Sequence, residues 1–494
     1  MTIKIEYHSE VFLRVFAGSS IEQELSDFFR FRVEGYQWTP AFKNKLWDGY
    51  VRLYNLQTKT IYLGLIDYIY EFAKRNDYEV EVDSNIFKLN GTTIEEVQSF
   101  ADSLNLYGRG KPIQIKDYQV QAVQTAIDRN RVLLLSPTSS GKSLMIYTLL
   151  RHHLNQDRKC IIVVPSTQLV EQLYADFEDY SSANGFKVSE NCQKLYSGFS
   201  KLFEKEVLIT TWQSVINQPK PWFNQFDVVI NDECHLAKAK SLTSILEKLD
   251  NAKYRIGTTG TLDGSKVNKL VLEGLFGRTY QVTTTKELMD NKSVVELSIK
   301  CLLLEYTIET KKSAKEFTYQ EEMNWLVSHP DRNKFIRNLA ISTNGNTLVL
   351  FQYVEKHGKK LYEMISEKVT NNRKIYFVHG GVSAIDRENI RSICENDNSA
   401  IIIASYGVFS TGISMPSIEN IIFASPSKSR IRNLQSIGRG LRLKDGKTVC
   451  KLFDITDDLS YKSHKNHTLN HGIERYKIYS QEQFKIKMIK VKLE

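Results

Sequence analysis

Hydrophobic and polar positions change rhythm along the chain. Up to about residue 105, short alternating runs (Ile3 to Tyr7, Val51 to Tyr54, Tyr78 to Val82) predict half-buried strands, and stretches of helical period at Ile21 to Phe29 and Thr92 to Leu104 separate them. That is the pattern of a small α+β domain. From Asp117 the strands become continuous apolar runs, each followed by a polar turn and a helix-period segment: Val132 to Leu135, Ile161 to Val164, Val207 to Thr210, Val228 to Ile230 and Arg255 to Gly257. Strands apolar on both faces need cover on both, so these predict a parallel sheet sandwiched by helices. The pattern restarts after about residue 297, at Thr347 to Phe351, Ile375 to Val378, Ala400 to Ala404, Asn420 to Phe423 and Val449 to Phe453. The expected fold class is α/β: an N-terminal α+β domain (1–105), two tandem parallel-sheet domains (106–297 and 298–458) and a basic tail (459–494), helical through Tyr476 to Met488. Tyr107-Gly108-Arg109-Gly110-Lys111-Pro112 reads as a linker, because two glycines and a proline among charges favour turns.

Length agrees, since 494 residues at about 150 per domain give roughly three domains. The +9 charge is compatible with a polyanion partner without requiring one. No apolar run approaches the length of a membrane span. Residues 1–10 are charged and unlike a secretory signal, so a cytoplasmic location is expected. Six cysteines spaced 32 to 93 residues apart, with no C-x-x-C, argue for buried reduced thiols rather than a disulfide framework or zinc ribbon.

Chemistry concentrates in a few segments. Leu133-Leu134-Leu135-Ser136-Pro137-Thr138-Ser139-Ser140-Gly141-Lys142-Ser143 puts an apolar strand before a phosphate loop and a helix after it. Backbone N–H groups of Pro137 to Ser143, where present, can cradle phosphates, Lys142 can reach the β/γ oxygens, and the Ser143 hydroxyl can ligate Mg²⁺. Ser136 stands where the pattern asks for Gly. Ninety residues beyond Lys142, Val228-Val229-Ile230-Asn231-Asp232-Glu233-Cys234-His235 supplies the other half of an ATP site: a strand ending in Asp232, to hold Mg²⁺, and Glu233, to deprotonate water.

Asp232-Glu233-Cys234-His235 resembles the DExH box of superfamily 2 helicases, and the resemblance continues in order over residues 114–445. It implies RecA-like folds for both parallel-sheet domains. Gln119 resembles the adenine-reading glutamine, although Lys116-Asp117 departs from the commoner Arg-Pro. Val164-Pro165-Ser166-Thr167-Gln168-Leu169 and Ile209-Thr210-Thr211-Trp212 resemble motifs that touch the nucleic-acid backbone, so Ser166, Thr167, Thr210 and Thr211 are candidate phosphate contacts; such hydroxyls also serve as helix caps. Thr258-Thr259-Gly260-Thr261 resembles the coupling motif, which gives Thr259, Thr261 and His235 a role in linking hydrolysis to movement. In the next domain, Val378-His379-Gly380-Gly381 and Ser405 to Ile413, with Thr411 toward DNA and Gly412 toward nucleotide, match further motifs. Gln435-Ser436-Ile437-Gly438-Arg439-Gly440-Leu441-Arg442 resembles the arginine-finger motif, in which Gln435, Arg439 and Arg442 act on the γ-phosphate.

The form of that last motif favours DNA over RNA. In the N-terminal domain Arg32, Trp38, Lys43, Lys45, Trp47 and Arg52 lie among interleaved aromatics and bases suited to tracking a strand, while residues 1–110 hold 12 Lys+Arg against 16 Asp+Glu, so only a local patch could bind and the aromatics could equally be core. With the core motifs, this segment resembles the UvsW-type recombination helicases of large tailed phages. The resemblance implies an ATP- and Mg²⁺-dependent monomeric motor on branched or single-stranded DNA, with RNA in R-loops and recombination proteins as further partners. An RNA helicase, a double-strand translocase without strand separation and a non-catalytic DNA-binding scaffold are the alternatives; the intact set of hydrolytic residues argues against the last.

Overall fold

In the computed structural model, which describes residues 1–493 except 34, 85, 87–88, 197–201, 237–239, 263–265, 370–372, 412–414, 426–428 and 445, the changes of rhythm become changes of architecture. The N-terminal lobe contains β1 (Thr2–Tyr7), β2 (Phe12–Phe16), β3 (Arg30–Arg32), β4 (Tyr50–Arg52), β5 (Thr60–Tyr62) and β6 (Glu79–Val82). Four of them form a mixed sheet in the order β5-β2-β1-β6, and β3 and β4 pair as a separate ribbon. Alternation in β1 turns Ile3 and Ile5 inward onto the helices Ser19–Phe28 and Ile66–Arg75, whose Ile21, Leu25, Ile69 and Phe72 complete the core.

The stretch Tyr107 to Pro112, expected as a linker, is a hairpin of β7 (Tyr107–Gly108) and β8 (Lys111–Pro112), turned by Arg109 and Gly110 in left-handed backbone. The helix Ile94–Ser103, placed by periodicity with the N-terminal domain, packs Val97 and Ala101 into the core of the first parallel-sheet domain. The domain boundary drawn at residue 105 therefore moves upstream of that helix: Asn90 and Gly91 already bond to Ile127 and Asp128.

β9 (Arg131–Leu135), β10 (Cys160–Val164), β11 (Cys192–Leu195), β12 (Val207–Thr211), β13 (Val228–Asn231), β14 (Tyr254–Thr259) and β15 (Thr279–Gln281) form an all-parallel sheet in the order β11-β12-β10-β13-β14-β9-β15. A second all-parallel sheet has the order β18-β19-β17-β20-β21-β16-β22, from β16 (Glu296–Glu305), β17 (Asn346–Phe351), β18 (Ile375–Val378), β19 (Ile401–Ser405), β20 (Ile418–Phe423), β21 (Val449–Asp458) and β22 (Ile486–Lys492). The chain divides into two compact units, Met1–Ser136 with Gly141–Val282, and Pro137–Ser140 with Thr283–Glu494.

The tail departs from the expected helix through Tyr476 to Met488. Its helix spans His467–Gln481 and buries Ile478 and Tyr479, while Arg475 pairs with the buried Asp454 of β21 at 2.6 Å. Lys487, Lys490 and Lys492 after it lie on β22, an edge strand paired with β16, where exposed Lys490 and Lys492 alternate with half-buried Ile489 and Val491. All six cysteines are buried. Among the described residues no helix is long and apolar enough to cross a membrane.

Candidate ATP site and nucleic-acid interface

Strand order builds the site. β13, β14 and β9 are neighbours, with Asn231 opposite Gly257 and Thr259 opposite Leu135, so their C-terminal tips bring three segments distant in sequence side by side. Ligands of parallel sheets bind at such tips. The loop after β9 is anchored by the Ser136 N–H donating to the Thr259 carbonyl at 2.8 Å. Within it Ser140 Oγ donates to Pro137 O at 2.6 Å, and Ser139 and Gly141 take left-handed backbone. Gly141 begins the helix Lys142–Leu154, and a Cβ there would overlap the amide of the buried Gln119. Gln119 thus abuts the start of the helix that follows this loop.

Lys142 Nζ lies 3.4 Å from the Ser136 carbonyl and 3.4 Å from Glu233 Oε1. Glu233, itself in left-handed backbone at φ +51°, turns its other oxygen to His235 Nδ1 at 3.2 Å; Nδ1 is also 2.8 Å from Thr259 Oγ1. Thr259 Oγ1 also lies 3.0 Å from Thr261 O, to which it can donate. Glu233, His235, Thr259 and Thr261 form one continuous chain. Burial, reinforced by the adjacent Glu233 carboxylate, pushes the Asp232 carboxyl above its ordinary value. Burial opposes charge on Glu233 as well, but Lys142 and His235 outweigh it and hold that carboxyl well below its ordinary value. Thr258, which sequence reasoning passed over, donates to Asp232 Oδ1 at 2.6 Å. Its role depends on β13 lying beside β14, and motif spacing alone does not give that pairing. Ser143 Oγ lies 2.8 Å from Tyr180 OH, a partner that no motif signalled.

The backbone-contact hydroxyls divide. Thr167 is exposed, whereas Ser166 caps the helix Thr167–Tyr180 by accepting from Leu169 N. Thr210 is buried and donates to Leu195 O at 2.7 Å, and the buried Thr211 bonds to Ser214 Oγ at 2.8 Å. Both point into the domain, which corrects their assignment as direct phosphate contacts. In the second unit the helix Arg430–Gly440 carries Gln435 and Arg439 one turn apart, with Arg442 just beyond its end; all three are half-buried. Gly412 lies outside the described residues, as does the side chain of Thr411.

The N-terminal aromatics also divide. Phe29 is core, but Trp38 is 73% and Leu46 80% exposed. Arg32 sits 4.8 Å from the ring centres of both Tyr36 and Tyr50, and Lys43 lies 5.7 Å from that of Trp38. Trp47 donates to Tyr50 O at 2.7 Å, while Arg52 is held by Asp48. Lys43, Lys45, Leu46 and Trp47 line a shallow depression of about 580 Å³.

A phosphate loop and an acid-tipped strand on either side of β14 in one parallel sheet, with a second parallel-sheet domain carrying paired arginines downstream, is the frame of a superfamily 2 helicase. Family models agree segment by segment: "DNA helicase UvsW, N-terminal" at residues 2–83, "Type III restriction enzyme, res subunit" at 112–264 and "Helicase conserved C-terminal domain" at 331–444. The ATP-dependent DNA helicase uvsW of Enterobacteria phage T4 is 35% identical over the whole of both chains. The crystal structure of T4 UvsW superposes over the whole of both chains with TM-score 0.54 at 34% identity. The chain belongs to the UvsW family of ATP-dependent DNA helicases. A Type ISP restriction-modification enzyme bound to DNA, matched over 85% of this chain and 34% of its own at TM-score 0.56 and 15% identity, shares the fold.

Proposed function

We propose that this chain is an ATP-driven motor that unwinds or branch-migrates branched DNA, at forks, Holliday-type junctions and displacement loops, in phage recombination, repair and replication control. The observation that carries the reading is the presence, in one unit, of the hydrolytic cluster Lys142–Glu233–His235–Thr259 and of a lobe exposing Trp38, Lys43 and Lys45. In this reading Lys142 holds the β/γ-phosphate oxygens, Glu233 takes a proton from the attacking water, and Arg439 and Arg442 neutralise developing charge on the phosphoryl oxygens. Thr259 and Thr261, joined to Glu233 through His235, carry the state of the site into the sheet.

Mg²⁺ fits the site. Two adjacent shielded carboxylates face a single ammonium, an excess of negative charge that a divalent cation neutralises. Asp232 would hold it together with Ser143, whose oxygen keeps lone pairs when Tyr180 donates to it. When bound, it supplies charge neutralisation at the phosphates. The lobe would hold a duplex arm by phosphate contacts from Arg32, Lys43, Lys45 and Arg52 and by stacking on Trp38 and Trp47.

The test is ATPase and strand separation measured side by side on forks, four-way junctions, plain duplex, single strands and R-loops. Faster turnover with separation on forks and junctions is expected, and activity on R-loops would extend the substrate to RNA-containing branches. Turnover along plain duplex with triplex displacement and no unwinding would make it a double-strand translocase. Preference for an RNA duplex would make it an RNA helicase.

A further inference from the structure

The helix Arg430–Gly440 must present its arginines in a fixed direction, and it ends in Gly440-Leu441-Arg442-Leu443. A helix C-terminus leaves those carbonyls unsatisfied and favours a cation. One arrives from downstream. The Lys447 N–H donates to Lys444 O at 3.0 Å. Lys447 Nζ then donates to Gly440 O at 2.6 Å, Arg442 O at 3.3 Å and Pro416 O at 2.8 Å. An ammonium has three donors, and all three are spent here.

The three acceptors come from two segments. Gly440 and Arg442 belong to the finger motif; Pro416 lies between the Ser405 to Ile413 motif and β20. Packing fixes the same point, since a Cβ on Gly440 would meet Ile421 Cδ1 at 2.6 Å and Cys450 Sγ at 3.0 Å. Burial lowers the Lys447 pKa, so the charge is kept there against a desolvation cost. A lysine serving only solubility would lie in water.

We propose that Lys447 is a positioning residue for hydrolysis: its ammonium clamps the end of the arginine-bearing helix to the segment leaving the Ser405 to Ile413 motif. It thereby sets the direction of Arg439 and Arg442. The inference rests on the reading of those arginines as fingers.

The test uses the full chain and DNA-stimulated ATPase. Lys447→Met should lower kcat about tenfold, or about 1.4 kcal/mol, with KM for ATP within about twofold and the melting temperature little changed, the split expected of a transition-state contact. Lys447→Cys should show the same loss, and aminoethylation with 2-bromoethylamine, confirmed at position 447 by mass, should restore most of the rate by rebuilding a lysine-like ammonium. That before-and-after comparison stands even where Lys447→Met folds poorly. Arg439→Ala is measured alongside. Wild-type kcat in Lys447→Met beside an inactive Arg439→Ala overturns the clamp and leaves the fingers; wild-type kcat in Arg439→Ala overturns the finger reading. A modified Lys447→Cys that stays slow also overturns the clamp, since the rebuilt ammonium would then make no difference.

Discussion

Replacing Glu233 by Gln separates the proton acceptor from the binding site, because the amide keeps the shape of the side chain and cannot take the proton from water. In the structure this carboxylate stands 3.4 Å from Lys142 Nζ and 3.2 Å from His235 Nδ1. Two unit charges at the first of these distances attract by about 5 kcal/mol at an effective dielectric near 20. Most of that gross attraction is offset by the cost of shielding both groups from water. The substitution removes the attraction and frees Lys142 for phosphate oxygens, so ATP affinity should be unchanged or tighter. Turnover should fall by about 10² to 10⁴, the share of a general base, equivalent to roughly 3 to 5 kcal/mol of barrier. Single-turnover hydrolysis with DNA present gives the second quantity, and titration with a fluorescent nucleotide gives the first. A loss of less than about tenfold would refute the assignment of the base. Loss of ATP binding in a folded variant would make Glu233 a structural partner of Lys142.

Lys142→Ala should abolish DNA-stimulated ATPase while DNA binding, read by fluorescence anisotropy, stays largely intact; wild-type turnover would reject the phosphate loop. Arg439→Ala or Arg442→Ala should lower kcat by about 10³ or more with little change in nucleotide affinity, and an effect confined to KM would contradict the finger role. Gly64→Ala should destabilise the packing of the N-terminal lobe by about 1 to 3 kcal/mol, because its Cβ would overlap the carbonyl oxygens of Glu273 and Gly274; an unchanged urea midpoint would disprove that. Lys43→Glu with Lys45→Glu and Trp38→Ala should weaken junction binding and flatten its salt dependence by about one unit for each phosphate that is no longer neutralised, whereas unchanged affinity would transfer branch recognition to the motor domains.

The parallel sheets were legible because strands buried on both faces leave continuous apolar runs, and so were the segments that meet at the strand tips, each of which follows such a run. What the sequence concealed depended on partners distant along the chain. β22 reads as a basic helix until β16 is seen beside it, since the exposed Met488, Lys490 and Lys492 alternate with the half-buried Ile489 and Val491 as an edge strand requires. Thr210 reads as a phosphate contact because a hydroxyl at a strand tip serves equally well inside or outside; β11 alongside supplies the Leu195 carbonyl that turns it inward. Thr258 received no role of its own for the opposite reason, its acceptor Asp232 lying 26 residues away at the tip of the adjoining strand.

The same dependence on distant partners decides what the N-terminal lobe can be. It is joined to the first motor domain by interlocking polar groups as well as by Leu270, which sits in the lobe's own core. Tyr62 donates to Glu247 and Tyr68 to the buried Glu273, each at 2.6 Å, and Glu273 also accepts from Thr279. Arg278 lies 3.7 Å from the centre of the Tyr68 ring and pairs with Asp67 and Glu71. Arg131, the first residue of the strand leading to the phosphate loop, is buried and paired at 2.7 Å with Glu10 of the lobe. Removing the lobe would leave Arg131 charged beside an apolar scar, the situation in which a broken buried pair is most costly. A truncation at residue 105 would also strip Val97 and Ala101 from the motor core. Loss of activity in such a truncation would therefore report on folding as much as on DNA. Substitutions at Trp38, Lys43 and Lys45, whose side chains are exposed, leave this joint untouched, and for that reason they rather than deletion can decide whether the lobe grips DNA.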